Sequence, residues 1–456
     1  MEHDICYTTT AGRKLSRRLG SLERYFLAIA EGSNTAYVNT VLLLESKVQL
    51  DQDHAKKALL MLLERFPLLR MRVTERSNQP CFEEMENAPQ ILDFRRMENV
   101  DSVNWLHAFE KQINGAPFNT QQGPLWRVSL LRETCDATGQ EIVYKNTLLF
   151  TFHHVICDAL SIFELKKKLV EFLGLLYNGE AIEVKSLPFR PPIERAMRHL
   201  TRPRIWERLL IPIVLMLRKL KAYIRTPKLE NLYLLTFPPP SGHLVAQKTL
   251  AIPRNLSREE TMALIRCSKA NNCTVHGAIT AATHLAMSQI LDQQNHVNES
   301  KSPLLIDSTY TINVRKECQP KIESDEFGLY IALAPLQSMV NSSTMVFWEF
   351  ARACTNEVHR GINEGTHRNT LKLLQCVNVP SFWSLLCYET EHGLSKSLFN
   401  LTNLGALSID QEGKSPYKFA GSYLAVQIAR LALSWDTIFS QSMTVCTGPW
   451  IILLTS

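Results

Sequence analysis

An α/β (α+β) protein of two units is what this sequence predicts, on three observations. Segments with strand and helix periodicity alternate from residue 36 to about 177, and again beyond residue 250. Prolines gather between them, at Pro188, Pro191, Pro192, Pro203 and in the run Pro238-Pro239-Pro240, where regular structure breaks. The 456 residues, 45% hydrophobic and 21% charged, are enough for two or three domain-sized units with ample core. The expected partition is a first unit at 1–180, a Pro-rich crossover at 181–245 and a second unit at 246–456.

The first unit opens with a strand at 36–44, after which Asp51 caps a helix that Pro67 stops. Residues 68–73 resume an extended run, a helix covers roughly 103–112, and 123–131 is a strand entered through a turn at Gly123-Pro124. Residues 143–152 form a further strand. The helix after it holds Ile162, Phe163, Leu165, Leu169, Val170, Leu173 and Leu176 on one face, and Ser161 with Glu164 has capping-box spacing at its start.

In the second unit Ser257 and Glu260 repeat that spacing before a helix at 259–269. Thr274 opens a helix rich in small residues, which implies close packing, and 304–314 is a strand ending at Arg315. Gly328 stands in a strand-like stretch, helices fill much of 345–390, and 442–454 reads as one or two strands. No period of 20–50 residues repeats, which excludes a solenoid.

A net charge of +6 is small for this length and argues against nucleic acid as a partner, while suiting an anionic small ligand such as a coenzyme. Eleven scattered cysteines without a CxxC pair read as reduced thiols in a cytoplasmic protein, not as a disulfide frame or a zinc module. The first residues lack an apolar run, so no secretory signal is expected. One apolar stretch stands apart, Leu209 to Leu217 with Pro212 inside it. Arg202, Arg204 and Arg208 precede it, and Arg218, Lys219, Lys221 and Arg225 follow. It is too short to span a bilayer, which takes about 20 residues. A helix packed on the protein with solvated basic ends is the favoured reading. Peripheral membrane contact through 202–228 is the alternative.

The chemistry concentrates in His153-His154-Val155-Ile156-Cys157-Asp158, an HHxxxD pattern at the end of the 143–152 strand. Strand ends and the turns after them are where rigid scaffolds present reactive groups. A neutral imidazole can take a proton at physiological pH, because its unperturbed pKa lies near 6.5. Asp158 could bond that imidazole directly, or pair with a buried arginine and hold the turn. Taken alone, a histidine at a strand end is more often a satisfied core residue, and so short a pattern recurs by accident. His, Cys157 and Asp158 are also metal-ligand types. However, adjacent strand residues point to opposite faces, so no metal site is expected.

Several further segments agree with this motif in order and spacing. They are Arg65-Phe66-Pro67-Leu68-Leu69-Arg70, Gly123-Pro124-Leu125-Trp126-Arg127, Thr274-Val275 and Asn313-Val314-Arg315. With them the chain resembles, over nearly its whole length, the superfamily of CoA-dependent acyltransferases and condensation domains. The alcohol acetyltransferase and condensation branch is the nearest in pattern. The resemblance implies two chloramphenicol acetyltransferase-like subdomains, mixed sheets flanked by helices, with an active-site tunnel between them. It makes His154 the general base, His153 a supporting residue, and Asp158 a structural residue paired with Arg315. Asn403, or Thr402, is a weak candidate for the oxyanion donor, and the residues that hold CoA are not assigned.

The chain departs from the family pattern at three points. Ala159 replaces the usual glycine after the aspartate, residues Leu401-Thr402-Asn403-Leu404-Gly405 stand where plant relatives carry an Asp-Phe-Gly-Trp-Gly loop, and the sequence stops at Ser456 on an apolar strand. The expected activity is acyl transfer from acyl-CoA, a co-substrate and not a resident cofactor, to a small alcohol or lipid acceptor. Two rivals stay open. One is amide or ester formation on a carrier-bound thioester, against which the lack of an attached carrier domain counts. The other is a non-catalytic relative that binds lipid or a partner. A monomer is expected, cytoplasmic, with membrane association if the 202–228 segment makes it.

Overall fold

Tyr37–Ser46 and Glu141–His153 pair antiparallel along ten residues, and the first unit's main sheet is built around them. Nearly every side chain of Tyr37–Ser46 is buried, as expected of an aliphatic run covered on both faces. The sheet runs Tyr417–Gln427, Tyr37–Ser46, Glu141–His153, Trp126–Arg132, Phe94–Asp101, and only the last two pair in parallel. Thr134–Thr138 forms a hairpin with the start of Glu141–His153. A smaller antiparallel sheet joins Ser16–Arg18, Gln79–Glu84 and Met71–Arg76.

The structure is a computed structural model that describes residues 14–86, 91–138, 141–224, 249–294, 303–391, 397–407, 409, 415–427, 441–447 and 450–455. The run Pro238-Pro239-Pro240, Arg225 and Ser456 lie outside these residues. The chain forms two compact units, neither of them continuous. The first comprises Met1–Arg198, Val314–Tyr330 and Leu407–Gln427. The second comprises His199–Asn313, Ile331–Ala406 and Ile428–Ser456.

In the first unit the helix Ala159–Tyr177 buries Ile162, Phe163, Leu165, Leu169, Phe172, Leu173 and Leu176. Each such side chain contributes roughly 1.5–3 kcal/mol. Phe172 takes the buried place that the sequence pattern gave to Val170, which is only half-buried. The same face carries Lys166, 2% exposed, whose Nζ donates to Thr40 Oγ1 at 2.8 Å and to Ser422 Oγ. A buried ammonium is tolerated only with such oxygen partners, and here it ties the helix to two neighbouring strands. The predicted capping box at Ser161 gives way to a different cap. Asp158 is the N-cap and accepts from Ser161 N–H at 2.8 Å, so the helix starts three residues earlier. Ala159 is its first residue, a right-handed position that an alanine fills without strain.

In the second unit the sheet order is Ile331–Val340, Leu304–Asn313, Ser397–Ala406, Trp450–Thr455, Gln441–Thr447, Leu250–Ala251. Helices Arg258–Ala270, Val275–Gln294, Phe347–Glu364, Thr366–Cys376 and Val379–Glu391 accompany it. The capping box of Ser257 with Glu260 forms as its spacing predicts. The small residues of Val275–Gln294 permit a close approach: a Cβ on Gly277 would meet Thr355 Oγ1 at 2.0 Å.

Three sequence expectations change. Leu401–Gly405 is no loop but part of the Ser397–Ala406 strand, which carries an irregularity between Asn403 and Ala406 where Gly405 turns to φ +74. Gly328 lies in a bend ahead of Ile331–Val340, not in a strand. The 209–217 stretch forms the helix Ile205–Ile224 as expected, yet it does not pack its apolar side inward: Leu209 is 64% and Met216 62% exposed.

Candidate active site

The Glu141–His153 strand ends at His153, a 3-10 turn follows over His154–Ile156, and Cys157 is extended before Asp158 opens the helix. The strand's last residue and the first of the turn have different surroundings. His153 has no surface exposure; its Nδ1 accepts from Val155 N–H at 3.1 Å, and its ring meets Tyr37 edge-on at 5.6 Å. Burial lowers its pKa to about 3, with a smaller push from His154, so the ring is neutral.

His154 keeps 6% exposure and lies flat on Phe26, with ring centroids 4.0 Å apart and planes 18° from parallel. Its Nδ1 faces the Cys157 carbonyl at 2.9 Å. A carbonyl only accepts, so Nδ1 carries the hydrogen and Nε2 is left with the lone pair. Burial pulls the His154 pKa below its ordinary value, against the raising influence of the backbone contacts and of Asp158. The peptide N–H of His154 donates to Ala36 O at 3.0 Å, and Ala36 is itself held at φ 64. A non-glycine residue in that region costs of order 1 kcal/mol or more, so surrounding contacts hold the backbone beside the ring in place.

Asp158 does not bond the imidazole. Its Oδ1 accepts from Ser161 N–H at 2.8 Å and from an Arg315 terminal nitrogen at 3.0 Å. Its Oδ2 accepts from Tyr330 N–H at 2.9 Å and from the other Arg315 nitrogen at 2.9 Å. Of the two arrangements open to Asp158 in the sequence, the structure holds the arginine pair. The side chains of Arg315 and Asp158 are 3% and 1% exposed. Arg315 also donates to Ser161 Oγ at 2.7 Å and stands over the Tyr330 ring at 4.9 Å. Ser161 Oγ donates to Gly328 O at 2.8 Å and accepts from Gly328 N–H at 3.0 Å. Arg190 closes the periphery through Glu326, at 2.8 Å.

Ser161, Gly328, Tyr330 and Phe26 belong to this centre and were not singled out for it in the sequence. Apart from the Asp158 cap, their spacing carries no local signal. His153, His154, Asp158 and Arg315 come together in the first unit. Asn403 and Thr402 lie on Ser397–Ala406 in the second, where Asn403 Oδ1 accepts from Gly405 N–H at 2.8 Å and Thr402 Oγ1 faces Thr311 Oγ1 at 3.1 Å. Among the described residues no group of three or more His, Cys, Asp or Glu side chains is placed to hold a metal ion.

Residues 22–205 match the family model of the condensation domain, and residues 251–409 match that of the phthiocerol/phthiodiolone dimycocerosyl transferase C-terminus. Polyketide synthase PksN of Bacillus subtilis (strain 168) is 29% identical over 128 residues, 27% of this chain. The chain spans only 2% of that synthase's length. TRI3 trichothecene 15-O-acetyltransferase from Fusarium sporotrichioides superposes with a TM-score of 0.63 at 13% identity, covering 98% of this chain and 91% of that one. The first condensation domain of the CDA synthetase gives 0.56 at 13% identity, covering 98% and 92%. At such identities the two superpositions speak to fold. Fold and family models together give the chain the fold of the superfamily of CoA-dependent acyltransferases and condensation domains, its first part matching the condensation domain and its second an acyltransferase C-terminus.

Proposed function

We propose that the protein transfers an acyl group from acyl-CoA to a hydroxyl acceptor, with His154 as general base. The alcohol proton passes to His154 Nε2 while its oxygen attacks the thioester carbonyl. The tetrahedral intermediate then collapses as the carbon–sulfur bond breaks. The CoA thiolate leaves with the proton that the imidazolium returns, so ester and free thiol are formed and the ring is neutral again. The observation that carries this reading is the 2.9 Å contact of His154 Nδ1 with the Cys157 carbonyl, which reserves Nε2 for the substrate proton. Burial keeps the ring unprotonated at neutral pH. Phe26 and the Asp158–Arg315 turn fix its orientation. General-base help of this kind is worth about 10²–10⁴ in rate.

The experiment is thiol release from a panel of acyl-CoAs with short and long alcohols. Wild type should release thiol only when an acceptor is present, and His154→Ala should lose about 10²–10⁴ of the rate with the fold intact. A variant that turns over like wild type would remove His154 from the mechanism. Silence of the wild type across the panel would favour a binding protein.

A second reading is supported by the condensation-domain match, which spans His153 to Asp158. In it the donor or acceptor is tethered to the phosphopantetheine arm of a carrier protein. The same base would serve, since a thioester is attacked in either case. Carrier-bound and CoA-bound acyl groups, assayed side by side, separate the two readings by their relative kcat/KM.

A further inference from the structure

The helix Ile205–Ile224 is turned the wrong way for a helix whose only neighbour is its own protein. At about 100° per residue, Ile205, Met216, Leu209, Leu220, Leu217 and Val214 follow one another around half its circumference, and each is more than half exposed. Ile211 and Leu215, on the other half, are only partly buried. The basic groups Arg208, Arg218 and Lys219 flank the apolar half and are exposed. On one border Arg218 pairs with the buried Glu389 of Val379–Glu391, with a terminal nitrogen 2.6 Å from Oε2, and Arg208 and Lys219 lie on the other border. Exposed apolar patches of this extent on a globular protein mark interaction sites.

Between Arg202 and Lys219 there are five basic residues and one acid, Glu207. Trp206, 52% exposed, stands at the N-terminal end of the apolar half, where an indole suits a water–lipid boundary. The face is a convex ridge with cations along its sides. No helix among the described residues is long and apolar enough to cross a membrane. Charge, convexity and the aromatic edge select an occupant that is fluid, apolar inside and negative at its rim.

We infer that this helix seats the protein in the headgroup layer of an anionic phospholipid bilayer, parallel to its plane. The outward leucines, valine and methionine enter the acyl boundary, and Arg202, Arg204, Arg208 and Lys219 meet lipid phosphates. The inference is independent of the acyl-transfer reading, because it concerns a surface of the second unit and requires no turnover.

The test is co-sedimentation of the full chain with phosphatidylcholine vesicles, with and without phosphatidylserine. Wild type should sediment with the anionic vesicles and be released as salt is raised. Leu209→Gln/Val214→Gln/Leu217→Gln should lower the partition coefficient at least about tenfold, with an unchanged thermal transition. Arg204→Gln/Arg208→Gln should lower it about tenfold on anionic vesicles alone. Wild type that stays in the supernatant with both vesicles overturns the inference, as does a triple variant that binds like wild type. A dimer in size exclusion that the triple variant dissolves also overturns it, and assigns the face to a second copy of the chain.

Discussion

Arg315 meets Asp158 fork to fork, at 2.9 and 3.0 Å, across 157 residues of sequence and with both side chains almost fully buried. The carboxylate also receives two peptide N–H groups, so both of its oxygens are occupied. Removing one partner leaves the other charged and desolvated, which costs about 3–5 kcal/mol. Asp158→Ala and Arg315→Ala should each lower the melting temperature by many degrees, and the double variant should cost less than the two combined. Calorimetry of the three variants checks this; a single variant that melts like wild type would sink the pairing argument.

The pH profile is the next expectation. The His154 ring must be neutral to accept a proton, and burial lowers its pKa from the ordinary 6.5. Protonation of the base therefore sets in only below pH 6.5, and the acid limb of kcat/KM should lie there. Phe26→Leu removes the stacked ring, and should lower kcat by tenfold or more while leaving that limb within about one pH unit. A limb near pH 7 or above in wild type would count against a desolvated imidazole.

Glu194 gives a stability test with a defined sign. Its carboxyl is buried, Oε1 accepts from Leu22 N–H, and Oε2 has no hydrogen-bond partner. Burial raises its pKa from 4.5 to about 7, so the folded state holds the proton more tightly than the unfolded state. Its contribution is present in full below pH 4.5 and is lost as pH rises toward 7. Glu194→Gln should stabilise the protein above pH 7 by on the order of 3 kcal/mol or less, and should not stabilise it below pH 4.5. Denaturant titrations of both proteins at pH 4.5 and 8 make the comparison.

Buried histidines act in the opposite sense. Burial lowers His284 and His153 to about 3, and partial burial with a smaller push from His359 lowers the half-buried His276 to about 4. Each takes up a proton on unfolding once the pH is below 6.5, so stability should fall from there toward pH 4, by up to about 1.4 kcal/mol per pH unit for each group. In the Glu194→Gln background this slope should be seen without the opposing carboxyl. A flat profile between pH 6.5 and 4.5 in that variant would contradict the burial of these rings.

At Gly328 a Cβ would stand 2.6 Å from the Tyr330 ring, which is itself packed under Arg315. Gly328→Ala should cost about 1–3 kcal/mol, because the ring has little room to retreat. Thermal melting measures it, and a loss below about 0.5 kcal/mol would show that Tyr330 moves freely.

Much of the fold was legible because its signals are local. Asp51 and the pair Ser257–Glu260 mark helix starts that the structure repeats, since a capping side chain needs only its own first turn. At Ser161 the local pattern misled. Asp158, three residues upstream, is the stronger acceptor and takes the cap, while the Ser161 hydroxyl turns to Gly328 and Arg315. The His153–Asp158 motif was visible as residue types, but its partners Tyr330 and Gly328 arrive through long-range contacts that leave no periodicity. The outward apolar face of Ile205–Ile224 was hidden for a different reason. Periodicity gives the width of an apolar stripe and not the direction it faces.

The strand Tyr417–Gln427 borders Tyr37–Ser46 over ten registered pairs and closes that edge of the first sheet. During synthesis nearly four hundred residues separate the two. Until the ribosome has passed Gln427, the aliphatic Tyr37–Ser46 strand presents unsatisfied peptide groups along one side, the usual template for intermolecular association. A nascent chain halted before residue 417 therefore needs chaperone cover, and any fragment ending there will be aggregation-prone whatever the quality of its core.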